Sequence, residues 1–144
     1  MKLDDIMSLW EADSYMDNSE LAKESLQIPM LHYKYYKIFV QEGLLQKKVE
    51  QDYKSMYKLK YEYYMGVLDQ ETMVERGWDP NPLKILKQDL FIYMDSDVDL
   101  QSIQARLDIQ KQKISFLESA IKTIVNRGFL IKNAIDFLKF QNGQ

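Results

Sequence analysis

The chain has 144 residues, of which 46% are hydrophobic and 28% are charged, a balance that predicts a folded domain. Five glycines and three prolines favour long helices over a turn-rich β fold, and the absence of cysteine excludes disulfides and thiolate metal sites. The formal net charge of −3 argues against a strongly cationic DNA-binding protein.

The charges are unevenly distributed along the chain. Residues 1–24 contain two basic and seven acidic side chains, whereas residues 47–60 contain five lysines and two acids. Residues 106–139 contain seven basic and three acidic side chains. A molecule polarised in this way can bind phosphates on one face while it stays acidic overall.

The first half of the chain predicts helices. Four apolar side chains have the spacing of a short amphipathic helix: Leu3, Ile6, Met7 and Trp10. Ser19 marks a second helix start, and Pro29 predicts a break, a kink or the first turn of a new helix. Residues 30–64 predict one long helix or two collinear ones, which end at Gly66.

The middle of the chain is less regular. Residues 67–82 contain Gly77, Pro80 and Pro82 and predict a loop. Residues 83–94 are ambiguous between helix and buried strand, and we favour helix. Ser96 or Asp97 can cap the next helix, and the acids at 95–99 suit a helix start better than a calcium loop, which would need Gly at 100 and Glu at 106.

The carboxyl-terminal part has the strongest pattern. Twelve positions alternate in steps of three and four residues, which is the coiled-coil repeat: Leu100, Ile103, Leu107, Gln110, Ile114, Leu117, Ile121, Ile124, Gly128, Ile131, Ile135 and Leu138. We call these positions the aliphatic seam. It predicts two helices that share a register and bend at 127–128, and it suits packing within one chain or between chains.

Lysines and tyrosines lie together in residues 44–66. At about 100° per residue, the tyrosines and Lys60 share one side of a helix, while Lys47, Lys54 and Lys58 lie on an adjoining strip. Lysines that neutralise phosphates beside tyrosines that stack on bases would bind single-stranded nucleic acid. The alternative is a tyrosine core past which the Lys60 side chain extends to solvent.

Motifs for catalysis are missing from the sequence. His32 is the only histidine, no pair of carboxylates stands out as an acid and a base, and the glycines form no phosphate-binding loop. We therefore expect no enzyme and no cofactor. No apolar run approaches membrane-spanning length and the acidic start does not suit a signal peptide, so we expect a cytoplasmic protein without membrane contact.

Three segments together resemble the UvsY recombination mediators of T-even-like phages and their relatives. These segments are KLKYEYYMG at 58–66, LKQDLFIYMDSDVDLQ at 86–101 and NRGFLIKNAIDFLKF at 126–140. The similarity extends over nearly the whole chain. Each motif is unspecific alone, but their order and spacing in one small helical chain make the resemblance fairly specific.

The resemblance implies a protein that binds single-stranded DNA, displaces the phage single-stranded-DNA-binding protein and loads the UvsX-type recombinase in the infected bacterial cell. It also implies closed rings of six or seven copies that assemble through the carboxyl-terminal region. The basic pair of the family falls on Lys58 and Lys60.

We therefore predict an all-α, elongated protomer in a ring-shaped homo-oligomer. It would be a single domain with a DNA- and partner-binding part at about 1–66, a loop at 67–82 and oligomerisation helices at about 97–140. The predicted DNA-binding residues are Lys47, Lys48, Lys54, Lys58, Lys60, Tyr57, Tyr61 and Arg127. The predicted interface between copies is Leu100, Ile103, Leu107, Ile114, Leu117, Ile121, Ile124, Ile131, Ile135 and Leu138. The competing hypothesis is a coiled-coil scaffold or adaptor that does not bind DNA.

Overall fold

The computed structural model describes residues 1–80 and 85–144, and these residues form six α-helices. The helices are α1 (Leu3–Ser14), α2 (Leu21–Met65), α3 (Gln70–Arg76), α4 (Leu90–Asp95), α5 (Val98–Val125) and α6 (Arg127–Gln141). A 3-10 turn at Lys87–Asp89 leads into α4. The described ranges contain no strand, which confirms the all-α prediction.

Helix α2 is one continuous helix of 45 residues, as the long helical pattern suggested. Pro29 neither breaks α2 nor starts a new helix, because it is the ninth residue of a continuous helix and lies in the third turn. Proline removes one backbone hydrogen bond there. The neighbouring Ile28 and Leu31 pack against a hydrophobic core, and this tertiary packing favours the helix on both sides of Pro29.

The end of α2 follows the predicted signal. Gly66 has a φ of 77°, a left-handed conformation that glycine adopts without a Cβ penalty. The predicted loop at 67–82 is only partly correct, because it contains α3. The Asp69 side chain caps α3 by accepting a hydrogen bond of 2.9 Å from the Thr72 backbone N–H, and Gly77 ends it with a φ of 70°.

The predicted helix at 83–94 is shorter in the structure. Residues 83 and 84 lie outside the described residues, and regular structure begins with the turn at Lys87. Asp97 caps α5, as predicted, because its Oδ1 accepts a hydrogen bond of 3.0 Å from the Leu100 N–H. The chain turns between α5 and α6 at Asn126, one residue before the predicted bend.

The chain divides into two compact units. The terminal unit contains residues 1–45 and 109–144, and the central unit contains residues 46–108. The terminal unit has a core of five side chains from α1, α2 and α5: Ile6, Tyr35, Leu117, Ala120 and Ile124. The central unit has a smaller core of Leu90, Met94 and Leu100, against which Tyr53, Met56, Tyr57, Tyr64 and Met65 pack.

Half of the predicted interface residues pack within the protomer, and the interface between copies stays a prediction. Five of the ten predicted interface residues are buried by their own chain: Leu100, Leu107, Leu117, Ile124 and Ile131. A side chain that is already covered cannot bury the same surface against a second copy. Among the other five, Ile135 is exposed, and four are partly exposed: Ile103, Ile114, Ile121 and Leu138.

A buried polar cluster explains the one amide in the aliphatic seam. The Gln110 Nε2 donates hydrogen bonds to the Glu42 backbone oxygen at 2.8 Å and to Glu42 Oε2 at 2.6 Å. Lys113 and the amino terminus lie 3.6 and 3.3 Å from the Glu42 carboxylate. Burial would raise the pKa of Glu42, but the Gln110 hydrogen bond and these two positive charges outweigh burial and lower it.

None of the helices in the described ranges combines the length and apolarity that a membrane span requires.

Candidate nucleic-acid interface

A row of exposed lysines follows the part of α2 that belongs to the central unit. Lys47, Lys54 and Lys58 are exposed, and the Lys58 side chain retains 78% of its accessible surface. At about 100° per residue, these three lysines lie within a sector of roughly 40° on the helix surface. We call them the lysine row. Lys48 is also exposed but lies roughly 80° around the helix from the nearer edge of this sector.

Tyr61 lies beside the lysine row, one turn after Lys58. It is 36% exposed, so part of its ring is available for stacking. Glu62 is 3.9 Å from the Lys58 ammonium, which is a weak, exposed pair on adjacent turns. Cations and an accessible aromatic ring thus share one solvent-facing surface of α2.

Tyr57 occupies a different environment. It is half-buried and lies against Tyr53, with the ring centroids 6.1 Å apart. Both rings line an open groove of about 380 Å³ whose other walls include Asp95 and Asp108. These carboxylates repel phosphates, so Tyr57 is less suited to nucleic-acid binding than Tyr61.

Lys60 is buried, unlike the lysine row. Only 5% of its surface is exposed, and its ammonium lies 3.1 Å from Asp97 Oδ2 and 2.9 Å from Asp99 Oδ2. The same ammonium lies 3.9 Å from the ring centroid of Trp78 and 5.6 Å from that of Tyr63. Two carboxylates and an aromatic face therefore surround this cation. We call Lys60, Asp97, Asp99 and Trp78 the Lys60 cluster.

Asp97 connects the Lys60 cluster to two helices. Its Oδ2 accepts a hydrogen bond of 2.6 Å from the Tyr64 hydroxyl, while its Oδ1 caps α5. Burial would raise the pKa of Asp97, but the bonds from Tyr64, the Leu100 N–H and Lys60 outweigh burial and hold it below its usual value. Burial and the neighbouring Asp97 carboxylate raise the pKa of the Tyr64 hydroxyl, so it remains a proton donor.

Helix geometry separates Lys58 from Lys60. Residues two positions apart on an α-helix point about 200° apart, toward nearly opposite sides. Lys58 faces solvent, whereas Lys60 faces the packed side of the central unit. In this conformation the pair does not present both ammonium groups to one side of α2, and a DNA contact by Lys60 stays an untested expectation.

Arg127 lies in the terminal unit and is 4% exposed. Its guanidinium donates a hydrogen bond to the Asp13 backbone oxygen, lies 3.6 Å from the Glu24 carboxylate and contacts the Trp10 ring at 5.9 Å. These contacts connect α6 with α1 and α2. Arg127 therefore has a structural environment that leaves little of its side chain accessible, and its predicted DNA contact stays a prediction.

Partial signals for these positions are present in the sequence. Helical angles already placed Lys60 among the core-facing tyrosines, and the acids at 95–99 already marked a helix start. Neither signal could pair Lys60 with Asp97, which is 37 residues away, or with Trp78 in the predicted loop. Such contacts depend on how α2, α5 and the segment after α3 pack together.

The chain is similar to a known protein family over most of its length. A family model described as "Recombination, repair and ssDNA binding protein UvsY" matches residues 9–144.

Individual relatives are similar to this chain over nearly its whole length. The recombination protein uvsY of Enterobacteria phage T4 is 22% identical over 144 residues, which is 100% of both chains. A crystal structure of the T4 recombination mediator protein UvsY superimposes with a TM-score of 0.86 and 22% identity, covering 99% of this chain and 98% of that one. A second crystal form gives a TM-score of 0.85 and 21% identity, covering 97% and 99%. These similarities confirm the fold.

Proposed function

This chain belongs to the UvsY family of recombination, repair and single-stranded-DNA-binding proteins, and we propose that it binds single-stranded DNA through the lysine row and Tyr61. The observation that carries this proposal is the alignment of Lys47, Lys54 and Lys58 on one exposed sector of α2. Exposed ammonium groups neutralise phosphates and release counterions, and a neighbouring ring can stack on a base without reading its sequence. Lys48, which projects from a neighbouring side of α2, would contribute if the strand also passes that side.

The wider role follows the family. The protein acts as a recombination mediator without enzymatic activity, in the cytoplasm of the infected bacterial cell. It loads a UvsX-type recombinase onto DNA that is coated by the phage single-stranded-DNA-binding protein. Family membership and the T4 relative support this role.

We also propose that the protein forms a ring of six or seven copies. Each protomer offers only three or four exposed lysines on the DNA-binding face, and several linked copies can raise avidity by about 10²–10⁴ without new contacts. Helix α6 supports self-association, because Phe129, Phe137 and Phe140 are 69%, 58% and 79% exposed. Sedimentation that finds only monomers at micromolar concentration would contradict the ring.

A double substitution tests the DNA site. Lys54→Ala/Lys58→Ala should weaken binding of a fluorescent oligothymidylate, and each lost phosphate contact should lower the salt slope of log K by roughly 0.7. Lys87→Ala/Lys111→Ala removes the same charge from exposed positions outside the lysine row and should bind nearly as the wild type does.

Equal anisotropy titrations for the two double variants would remove the lysine row from the site. The scaffold alternative predicts no salt-dependent binding of single-stranded DNA by the wild type either, and that result would favour it.

A further inference from the structure

We infer that Lys60 is a positioning residue of the single-stranded-DNA site. It joins α2 to the start of α5 and to the segment after α3, and it does not touch a phosphate. The inference rests on the proposed function, because it concerns how the same site keeps its shape. The Lys60 cluster combines three separate segments of the central unit: α2, residues 97–99, and Trp78.

The charge of Lys60 is already balanced inside the protein. Its ammonium has two carboxylate oxygens within 3.1 Å and a Trp78 ring at 3.9 Å, and it is 5% exposed. Counterion release requires a cation that meets a phosphate of the DNA. To reach a phosphate, Lys60 would have to leave Asp97 and Asp99, and the buried Asp97 carboxylate would then lack its positive partner.

Two hydrogen bonds beside Lys60 hold the carboxyl-terminal turns of α2 in place. The Tyr64 hydroxyl bonds Asp97 at 2.6 Å, and the Tyr63 hydroxyl bonds the Asp79 backbone oxygen at 2.6 Å. The last turns of α2, which carry Lys58 and Tyr61, are therefore fixed to the rest of the central unit around Lys60. Loss of Lys60 would loosen these contacts, because the carboxylates of Asp97 and Asp99 would lose their shared positive partner.

The salt dependence of binding separates a positioning residue from a phosphate contact. Lys58→Ala should lower the slope of log K against log salt by roughly 0.7 for each protomer that contacts the strand. Lys60→Met should weaken binding of the same oligothymidylate at every salt concentration and leave the slope unchanged. A slope for Lys60→Met that falls as it does for Lys58→Ala overturns the inference.

A second substitution tests whether the lost affinity comes from the Lys60 cluster. Lys60→Met/Asp97→Asn removes the uncompensated charge and keeps a side chain that can cap α5, so it should recover part of the lost affinity. Lys60→Met/Asp95→Asn removes the same charge from an exposed side chain outside the Lys60 cluster and should recover less. Equal recovery in both variants, or none in either, contradicts the positioning role.

A milder change covers the case in which Lys60→Met fails to fold. Asp99 is half exposed, so Asp99→Asn should leave the chain folded. Removing an acid normally helps DNA binding, yet Asp99→Asn should bind less tightly than Asp95→Asn because it weakens the anchoring of Lys60. Equal or tighter binding by Asp99→Asn overturns the inference.

Hydrogen exchange without DNA distinguishes failure of this inference from failure of the proposed function. Lys60→Met, or Asp99→Asn in its place, should accelerate amide exchange in the first turn of α5 and at residues 77–79, whereas Lys58→Ala should not. If the wild type binds no single-stranded DNA, the proposed function fails even when exchange changes as expected. Unchanged exchange in a wild type that does bind DNA removes the positioning role alone.

Discussion

Buried and partly buried carboxylates are the residues whose charge depends most on the fold. Asp97, Glu42 and Asp13 each lie in a network of hydrogen bonds and positive charge, and each has a pKa below its usual value. For Asp13, burial opposes the shift, and the hydrogen bonds from Lys34 and Tyr35 outweigh it. These networks keep charges inside the protein that an unpaired carboxylate could not keep.

The lowered pKa of Asp97 predicts loss of stability in acid. A carboxylate with a lower pKa in the folded chain stabilises the fold above its unfolded pKa, near 3.8, and loses that contribution as the pH falls further. The free energy of unfolding should therefore decrease as the pH is lowered from about 5 toward 3. Urea unfolding across this range measures it.

Two variants test whether Asp97 causes this pH dependence of the free energy of unfolding. Asp97→Asn should be less stable than the wild type at pH 7 and should lose less stability between pH 5 and pH 3. Asp95→Asn, which removes a charge outside the Lys60 cluster, should keep the wild-type dependence. A pH dependence that is the same in all three proteins would show that Asp97 contributes nothing to it.

At the scale of elements, two glycines in or next to α2 have opposite roles. Gly66 has a φ of 77° and ends the helix, whereas Gly43 is within it, and a Cβ added at either position meets no atom within 4 Å. Backbone conformation alone should therefore decide the effect of each substitution. Thermal and urea unfolding should show Gly66→Ala destabilised by about 1 kcal/mol and Gly43→Ala stabilised by about 0.5–1 kcal/mol. Effects of the same sign would contradict this account.

Elements with regular spacing were predictable, and those set by tertiary packing were not. The aliphatic seam located α5 and α6, and Gly66 located the end of α2, because both signals act over one or two turns. Pro29 misled the prediction, since the Ile28 and Leu31 packing that favours an unbroken helix is invisible in local sequence. Helix α3 was missed because its cap, Asp69, lies in a segment dominated by glycine and proline signals.

The candidate site was predictable in composition and only partly in geometry. From the sequence, Lys54, Lys58 and Tyr61 were expected on one helix. The helical angles also placed Lys54 and Lys58 on the same strip of its surface. The sequence could not decide between the two proposed roles of the tyrosine-rich side, of which Tyr53, Tyr57 and Tyr64 pack against the core of the central unit. The pattern of the aliphatic seam likewise does not indicate which surface it packs against. In the structure, Leu117 and Ile124 pack within the chain.

On the scale of the whole molecule, an acidic protein can bind DNA because its exposed positive charge is concentrated. The net charge is −3, yet the lysine row forms a cationic strip on the central unit. One such strip neutralises few phosphates, so repetition of the strip by several copies is the physical reason to propose a ring. The central claim is that the exposed lysines of α2, and not Lys60, contact the strand.

Lysine acetylation mapped by mass spectrometry, with and without saturating oligothymidylate, tests this claim most directly. We predict that Lys54 and Lys58 react in the free protein and are protected by DNA, that Lys60 stays unreactive in both states, and that Lys87 and Lys111 react in both. The account would be contradicted if Lys60 reacts in the free protein and becomes protected by DNA, or if Lys54 and Lys58 stay reactive on the complex.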